Sequence, residues 1–157
     1  MLLATIQFNR CKQTDLTPDD ITQIYKVGFE HLKKAYSADK RNPVVGLYMG
    51  KHFAVVQDMP KAMAFATKAS EAQGLKNVQS EGFYIMGKIH HQQDRFGEAL
   101  ACYGKAVSFN PDNLLAQFGL GQTLLFKQDI ASAITAFERI LVKEPKCVEA
   151  IAVCTWR

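Results

Sequence analysis

The chain has 157 residues and a formal charge of +4, from 19 Lys and Arg against 15 Asp and Glu. With 48% apolar and 22% charged residues, it is too apolar and too balanced in charge to be disordered, and its size fits one domain. Its longest uncharged run, residues 113–126, is too short for a membrane-spanning helix of about 20 residues, so no membrane association is expected. From the N-terminus, residues 1–8 read as the tail of a helix and 11–16 as a loop. The start MLLATIQFNR has no basic stretch ahead of its apolar residues and no small-residue cleavage site. A secretory signal is therefore not expected, and an intracellular, reducing setting is. Cys11, Cys102, Cys147 and Cys154 form no CxxC pair, which argues against both a disulfide framework and a zinc finger.

Residues 21–36 carry helical apolar spacing at Ile24, Val27, Leu32 and Ala35. Thr17-Pro18-Asp19-Asp20 reads as the start of this helix, with Thr17 as cap and acids in the first turn. Asn42-Pro43 opens the next helix, because Asn accepts from free N–H groups and Pro suits the first turn. Gly74 is expected to act as a helix C-cap, where a left-handed conformation carries no steric cost.

A fixed period runs through the rest. Gly87 and Gly121, Ala99 and Ala133, and Pro111 and Pro145 each lie 34 residues apart. Tyr84 answers Phe118, Met86 answers Leu120, and Tyr103 answers Phe137 at the same spacing. Upstream, Gly50 to Gly87, Ala62 to Ala99 and Ala69 to Ala106 are each 37 residues apart, one period plus three residues inserted around 74–79.

The order aromatic, Leu/Met-Gly, small, aromatic, Ala, Pro at a 34-residue period resembles the tetratricopeptide repeat family. The resemblance implies an all-α fold, a right-handed α-solenoid of helix-turn-helix hairpins. The units are a partial repeat over 1–42 with a loop insertion around 11–16, a repeat over 43–79 with the three-residue insertion, repeats over 80–113 and 114–147, and the start of another over 148–157. Both ends read as interior to a longer array, since solenoids normally close with a polar terminal helix. Gly50, Ala62, Gly87, Ala99, Gly121 and Ala133 are the expected packing positions, with Pro111 and Pro145 completing the pattern. The glycines and alanines would let backbones approach, and Met86, Tyr103, Leu120 and Phe137 would fill the remaining space.

In such arrays the first helix of each repeat lines the concave face. By phase its lining is Leu47, Lys51 and Val55, then Tyr84, Lys88 and Gln92, then Phe118, Gln122 and Phe126. This mixture suits an extended peptide or a partner helix; alternatively its apolar members pack against neighbouring helices. Some family members clamp the acidic tail of a chaperone with Lys, Asn and Arg. The corresponding phases here are Leu47, Lys51, Ile85, Leu115 and Gly119, with Lys51 the lone cation, which argues against that class.

Catalysis, a cofactor and a metal have little support. His90 and His91 are adjacent and point about 100° apart on a helix, and there is no HExxH. His31 and His52 have no carboxylate, His or Cys three or four residues on. Lys33-Lys34 and Lys40-Arg41 form one basic cluster, but elsewhere bases alternate with acids, so direct nucleic-acid contact is not expected.

The order of NPVVGLYMGKHF, a short helix with Lys61, Ala62 and Ala69, the three extra residues, GFYIMGKIHHQQDRFGEALACYGKAV, FGLGQTLLFKQD and AITAFERIL resembles the scaffold-subunit family of the RNA polymerase II-associated factor complex. That resemblance implies a nuclear, non-enzymatic scaffold. Its partners would be other protein subunits and, indirectly, RNA polymerase II, with a role in transcription elongation and histone modification. The alternatives are a tetratricopeptide adaptor in another assembly and the repeat arm of a larger enzyme.

Overall fold

The computed structural model describes residues 17–155; the helix tail and loop expected over 1–8 and 11–16 lie outside them. Eight helices follow in order, and no strand occurs among the described residues: α1 Pro18–Ala38, α2 Pro43–Val55, α3 Met59–Ser70, α4 Lys76–Gln92, α5 Phe96–Phe109, α6 Leu114–Phe126, α7 Ile130–Lys143 and α8 Val148–Thr155.

Side chains at the helix starts satisfy orphan N–H groups. The Thr17 hydroxyl accepts from the Asp20 N–H at 3.2 Å, and the Asp20 carboxylate accepts from the Thr17 N–H at 3.1 Å. The Thr17 hydroxyl, donating to the Asp20 carboxylate at 2.7 Å, and then the Thr17 N–H hold that carboxyl below its ordinary range. Asn42 accepts from the Val44 and Val45 N–H groups, with Pro43 in the first turn. Asp58, Asn113 and Asp129 accept from Lys61, Ala116 and Ser132. α5 has no side-chain cap at Arg95; an Arg95–Glu98 ion pair at 2.7 Å spans its first turn instead.

The turn inside each hairpin repeats its backbone. Gln57, Asp94 and Gln128 have φ of 63°, 57° and 62°. The next N–H reaches back to the last turn of the first helix: Asp58 to the Phe53 carbonyl, Arg95 to His90 and Asp129 to Leu124. This closes each helix with a left-handed residue, as a Schellman motif does. The sequence gives little sign of it, because Gln and Asp stand where glycine is usual. Gly74, expected as a C-cap, is not one. α3 ends with Glu71 as its cap, and Gly74 takes φ 77° later in the connection to α4. The inserted residues are absorbed at this point, because α4 has 17 residues where α2 and α6 have 13.

Every helix packs on its chain neighbours, and α4 also packs on α2 and α6. No helices more distant in the chain meet among the described residues. That locality defines a solenoid.

The packing glycines do two different things. A Cβ at Gly50 would meet Phe65 Cβ at 3.2 Å and the Ala66 amide nitrogen at 3.5 Å, the backbone approach that the repeat pattern implies. At Gly87 and Gly121 the neighbour is a ring: a Cβ would lie 2.8 Å from Tyr103 and 2.7 Å from Phe137. α5 and α7 point these rings into the space that a Cβ would take, at the positions where Tyr103 and Phe137 were expected to fill the gap. The closest backbone contact is at Gly82, whose Cβ would lie 2.7 Å from the Ser70 nitrogen and 2.8 Å from the Ala66 oxygen. Ala62, Ala99 and Ala133 are fully buried. Pro111 and Pro145 are exposed in the turns between hairpins. A buried polar link joins consecutive hairpins: the Ser80 hydroxyl donates to the Ala106 carbonyl at 2.8 Å and accepts from Asn113 Nδ2 at 2.9 Å.

α1 seats on α2 through Leu32, Val45 and Met49 and through His52. The His52 ring is 8% exposed, stacks on Phe29 with centroids 3.5 Å apart, and places Nδ1 3.2 Å from the Tyr25 hydroxyl. Burial first, then the charge of Lys33, holds its pKa below the ordinary histidine value.

Three glycine variants separate these environments in thermal or urea unfolding. Gly82→Ala should lose about 1–3 kcal/mol despite its better helix propensity, because the new methyl meets backbone. Gly121→Leu should lose a similar amount against Phe137. Gly104→Ala, within α5 and with nothing within 4 Å of its Cβ, should gain about 0.5–1 kcal/mol. His52 yields a pH prediction. Its depressed folded pKa means that the unfolded chain binds the proton more readily, so stability falls as pH drops from the ordinary histidine value of about 6.5. His52→Phe should lose less stability than the parent between neutral and acidic pH, measured by melting temperature.

Candidate functional site

Helices α2, α4 and α6 are the first helices of three successive hairpins, and they carry the nine positions expected to meet a partner. The structure divides these positions by exposure. Leu47 is 5% exposed and belongs to the core with Ala54, Ile85 and Ile89. The expectation that it lines a binding face is therefore corrected: α3 and α4 enclose it. Tyr84 and Phe118 are half-buried. Tyr84 packs beside Tyr103, centroids 6.2 Å apart, and burial followed by the Glu81 charge pushes its phenol up. Phe118 meets Phe137 edge-on at 5.6 Å.

The other six offer side chains to solvent. Val55 and Phe126 are 61% and 62% exposed. Lys88, Gln92 and Gln122 are exposed, and Lys51 is partly so. Lys51 is committed within the array: its Nζ lies 3.0 Å from Glu81 of the next hairpin and 5.6 Å from the Tyr48 ring centroid. This pair is partly solvated and contributes little to stability, but it fixes where the cation sits.

The sequence reading missed an aromatic group around Phe126. Its ring stacks on Phe96 with centroids 4.9 Å apart, and His91 meets both edge-on at 5.4 Å. His91 Nδ1 lies 3.1 Å from Thr123 Oγ1. The Thr123 hydroxyl already donates to the Gly119 carbonyl at 2.7 Å, so its oxygen accepts from an Nδ1–H. That network assigns the tautomer and leaves Nε2 as the acceptor in neutral His91. The signal available in the sequence was the pair of aromatics at two helix ends, Phe96 and Phe126, but their meeting depends on the angle between hairpins.

The chaperone-clamp phases are closed for a different reason at each position. Ile85 is 2% exposed. Gly119 has no room for a side chain, since a Cβ would lie 2.5 Å from the Tyr103 ring. Leu115 is exposed but apolar.

His90, half-buried, has an Nδ1 without a hydrogen-bond partner. Burial raises the Cys102 thiol above its ordinary range, away from a reactive thiolate at neutral pH. Among the described residues no three His, Cys, Asp or Glu side chains gather as a metal site, and no helix is long and apolar enough to cross a membrane.

Comparison with known proteins agrees with this geometry. A protein-family model described as TPR repeat matches residues 87–128. The chain is 26% identical over 135 residues to Tetratricopeptide repeat protein 1 of Schizosaccharomyces pombe, covering 86% of this chain and 13% of that protein. It is 26% identical over 121 residues to RNA polymerase-associated protein CTR9 of Caenorhabditis elegans, covering 76% and 10%. It is 30% identical over 113 residues to human Tetratricopeptide repeat protein 6, covering 72% and 20%. The chain thus spans between a tenth and a fifth of the length of these curated relatives. A solved structure of the TPR2AB domain of yeast Sti1 in complex with pHSP90 has the same fold, with a TM-score of 0.58 at 18% identity over 87% of this chain and 52% of that one. With hairpins repeating in backbone, cap and ring packing, the chain carries tetratricopeptide repeats, which the family model matches over residues 87–128.

Proposed function

We propose that this chain is a section of a non-enzymatic protein scaffold in the RNA polymerase II-associated factor complex, acting in the nucleus in transcription elongation and histone modification. The observation that carries the interaction role is the exposure of Lys88 and Gln92 on α4 and of Gln122 and Phe126 on α6, with Phe126 stacked on the half-buried Phe96 of α5. A rigid aromatic beside amides and a cation supplies both apolar area and hydrogen-bonding groups to a docked peptide or helix. The likeness to CTR9 over 76% of the chain supports the specific complex. RNA polymerase II would be reached indirectly, through other subunits. The 30% identity to human Tetratricopeptide repeat protein 6 favours a second reading, an adaptor in another assembly.

Affinity purification of the tagged protein from cells distinguishes the two. Recovery with elongating RNA polymerase II and the associated-factor subunits is the expected result; its absence from that fraction overturns the first reading, and a different stable set of subunits supports the second. The variant Lys88→Glu, Gln92→Ala, Phe126→Ala should reduce subunit recovery about tenfold or more while cooperative melting is kept. Unchanged recovery would remove this face from the interaction.

A further inference from the structure

The basic cluster that the proposed role leaves unused lines a cleft of its own. It lies between the end of α1 and α3, over the first turns of α2, and has a volume of about 280 Å³. Lys40 and Arg41 enter from the α1–α2 turn and Lys68 from α3, against one carboxylate, Glu71. None of the nine first-helix positions lines it.

Some of the chain's cations are committed to carboxylates, and those of the cleft are not. Lys33, Lys51, Lys61, Arg95 and Lys143 each sit within 3.0 Å of a carboxylate. Among the described residues, Lys40, Arg41 and Lys68 pair with none, and the Asp39 carboxylate is turned to the Arg41 backbone N–H at 3.0 Å. The lining therefore sets three unpaired cations against the single carboxylate of Glu71, an excess of positive charge in one cleft. Its walls are aromatic: Tyr36 meets Phe65 edge-on at 5.3 Å, and Lys68 Nζ stands 5.9 Å from the Phe65 ring centroid. Gly46 leaves the base open, since a Cβ there would touch Phe65 at an ordinary 4.0 Å.

We infer that this cleft binds an anionic side chain of a partner peptide, a carboxylate or a phosphorylated residue held by Lys40, Arg41 and Lys68. A volume of this size suits one side chain, with the aromatic wall taking the adjoining peptide carbons. A polynucleotide fits less well. It engages a run of phosphates, more than the three cations of this one cleft offer. Because the cleft is separate from the α4–α6 face, the inference does not depend on which complex the scaffold serves.

The test is fluorescence anisotropy of the 157-residue chain with labelled peptides: an Asp/Glu-rich peptide, a phosphoserine peptide and their neutral Asn/Gln counterpart, with a single-stranded RNA of equal charge alongside. Binding of an acidic or phosphorylated peptide, weakened by salt, is expected, and the two peptides distinguish carboxylate from phosphate. The variant Lys40→Glu, Arg41→Glu, Lys68→Glu should weaken it about tenfold or more. The charge-matched variant Lys76→Glu, Lys105→Glu, Arg139→Glu should leave it within about twofold. Gly46→Leu keeps every charge and fills the cleft, and it too should lose binding. Should Gly46→Leu fail to fold, Lys68→Glu alone, on an exposed side chain, still reads the charge of the cleft and should weaken binding. Equal losses in the two charge-reversed variants, no preference for the anionic peptides over the neutral one, or RNA bound more tightly through the same cations would each overturn the inference.

Discussion

The array depends on rings from the second helices seating in gaps on the first helices. Tyr103 shows the constraint at its tightest. Its ring lies against Gly87 of its own hairpin and Gly119 of the next, at distances where neither position has room for a Cβ. One side chain thus fixes α5 against both α4 and α6. Its phenol is pushed well up by burial, so it stays neutral and no charge is carried into the seam. Phe137 against Gly121 repeats the device once. Gly87, Gly119 and Gly121 would each weaken an isolated helix; here close packing offsets that cost, because dispersion contacts fall away quickly with even a small gap.

Much of this was legible in the chain because the period forces it. Residues 34 apart occupy equivalent places, so Gly87 and Gly121 could be assigned to one phase before any coordinates. Asn42 and Thr17 announced helix starts through chemistry that acts within three residues. What could not be read depended on neighbours distant in sequence. Gly82 answers Ala116 one period on, so the repeat marks a small residue there, but not how closely the α3 backbone approaches it. The left-handed turns at Gln57, Asp94 and Gln128 are set by the Schellman hydrogen bonds and by the start of the following helix; their composition hides them. Gly74 was the opposite case, a glycine that did take the left-handed conformation but three residues past the cap Glu71.

The binding face was legible only in outline for the same reason. A repeat phase says which way a side chain leaves its helix, but not what stands opposite it. Leu47, Tyr84 and Phe118 share a phase, yet Leu47 is buried in the α2–α4 core while the other two are half-buried. Val55 and Phe126 share another and are both exposed; Phe126 stacks on Phe96 of the preceding hairpin, a contact the aliphatic Val55 cannot make. Exposure along a first helix is thus decided by the adjacent hairpin's sequence, and one conserved architecture can present different surfaces repeat by repeat.

Local packing also bears on how the two candidate surfaces relate. Helices touch only near neighbours, so strain at one hairpin reaches the next through a few contacts: the Tyr103 ring, the Ser80–Asn113 link and the Lys51–Glu81 pair. The cationic cleft sits on α1, α2 and α3, and the mixed face on α4 and α6. Between them lie Gly50 against Phe65 and Gly82 against the α3 backbone, contacts without slack. Phe65 belongs to both the cleft wall and the Gly50 contact. A ligand that displaced this ring would therefore press on α2 directly, while one that sat against it would leave the seam unchanged. The close fit at Gly50 favours the second case, so occupancy of one surface need not alter the other.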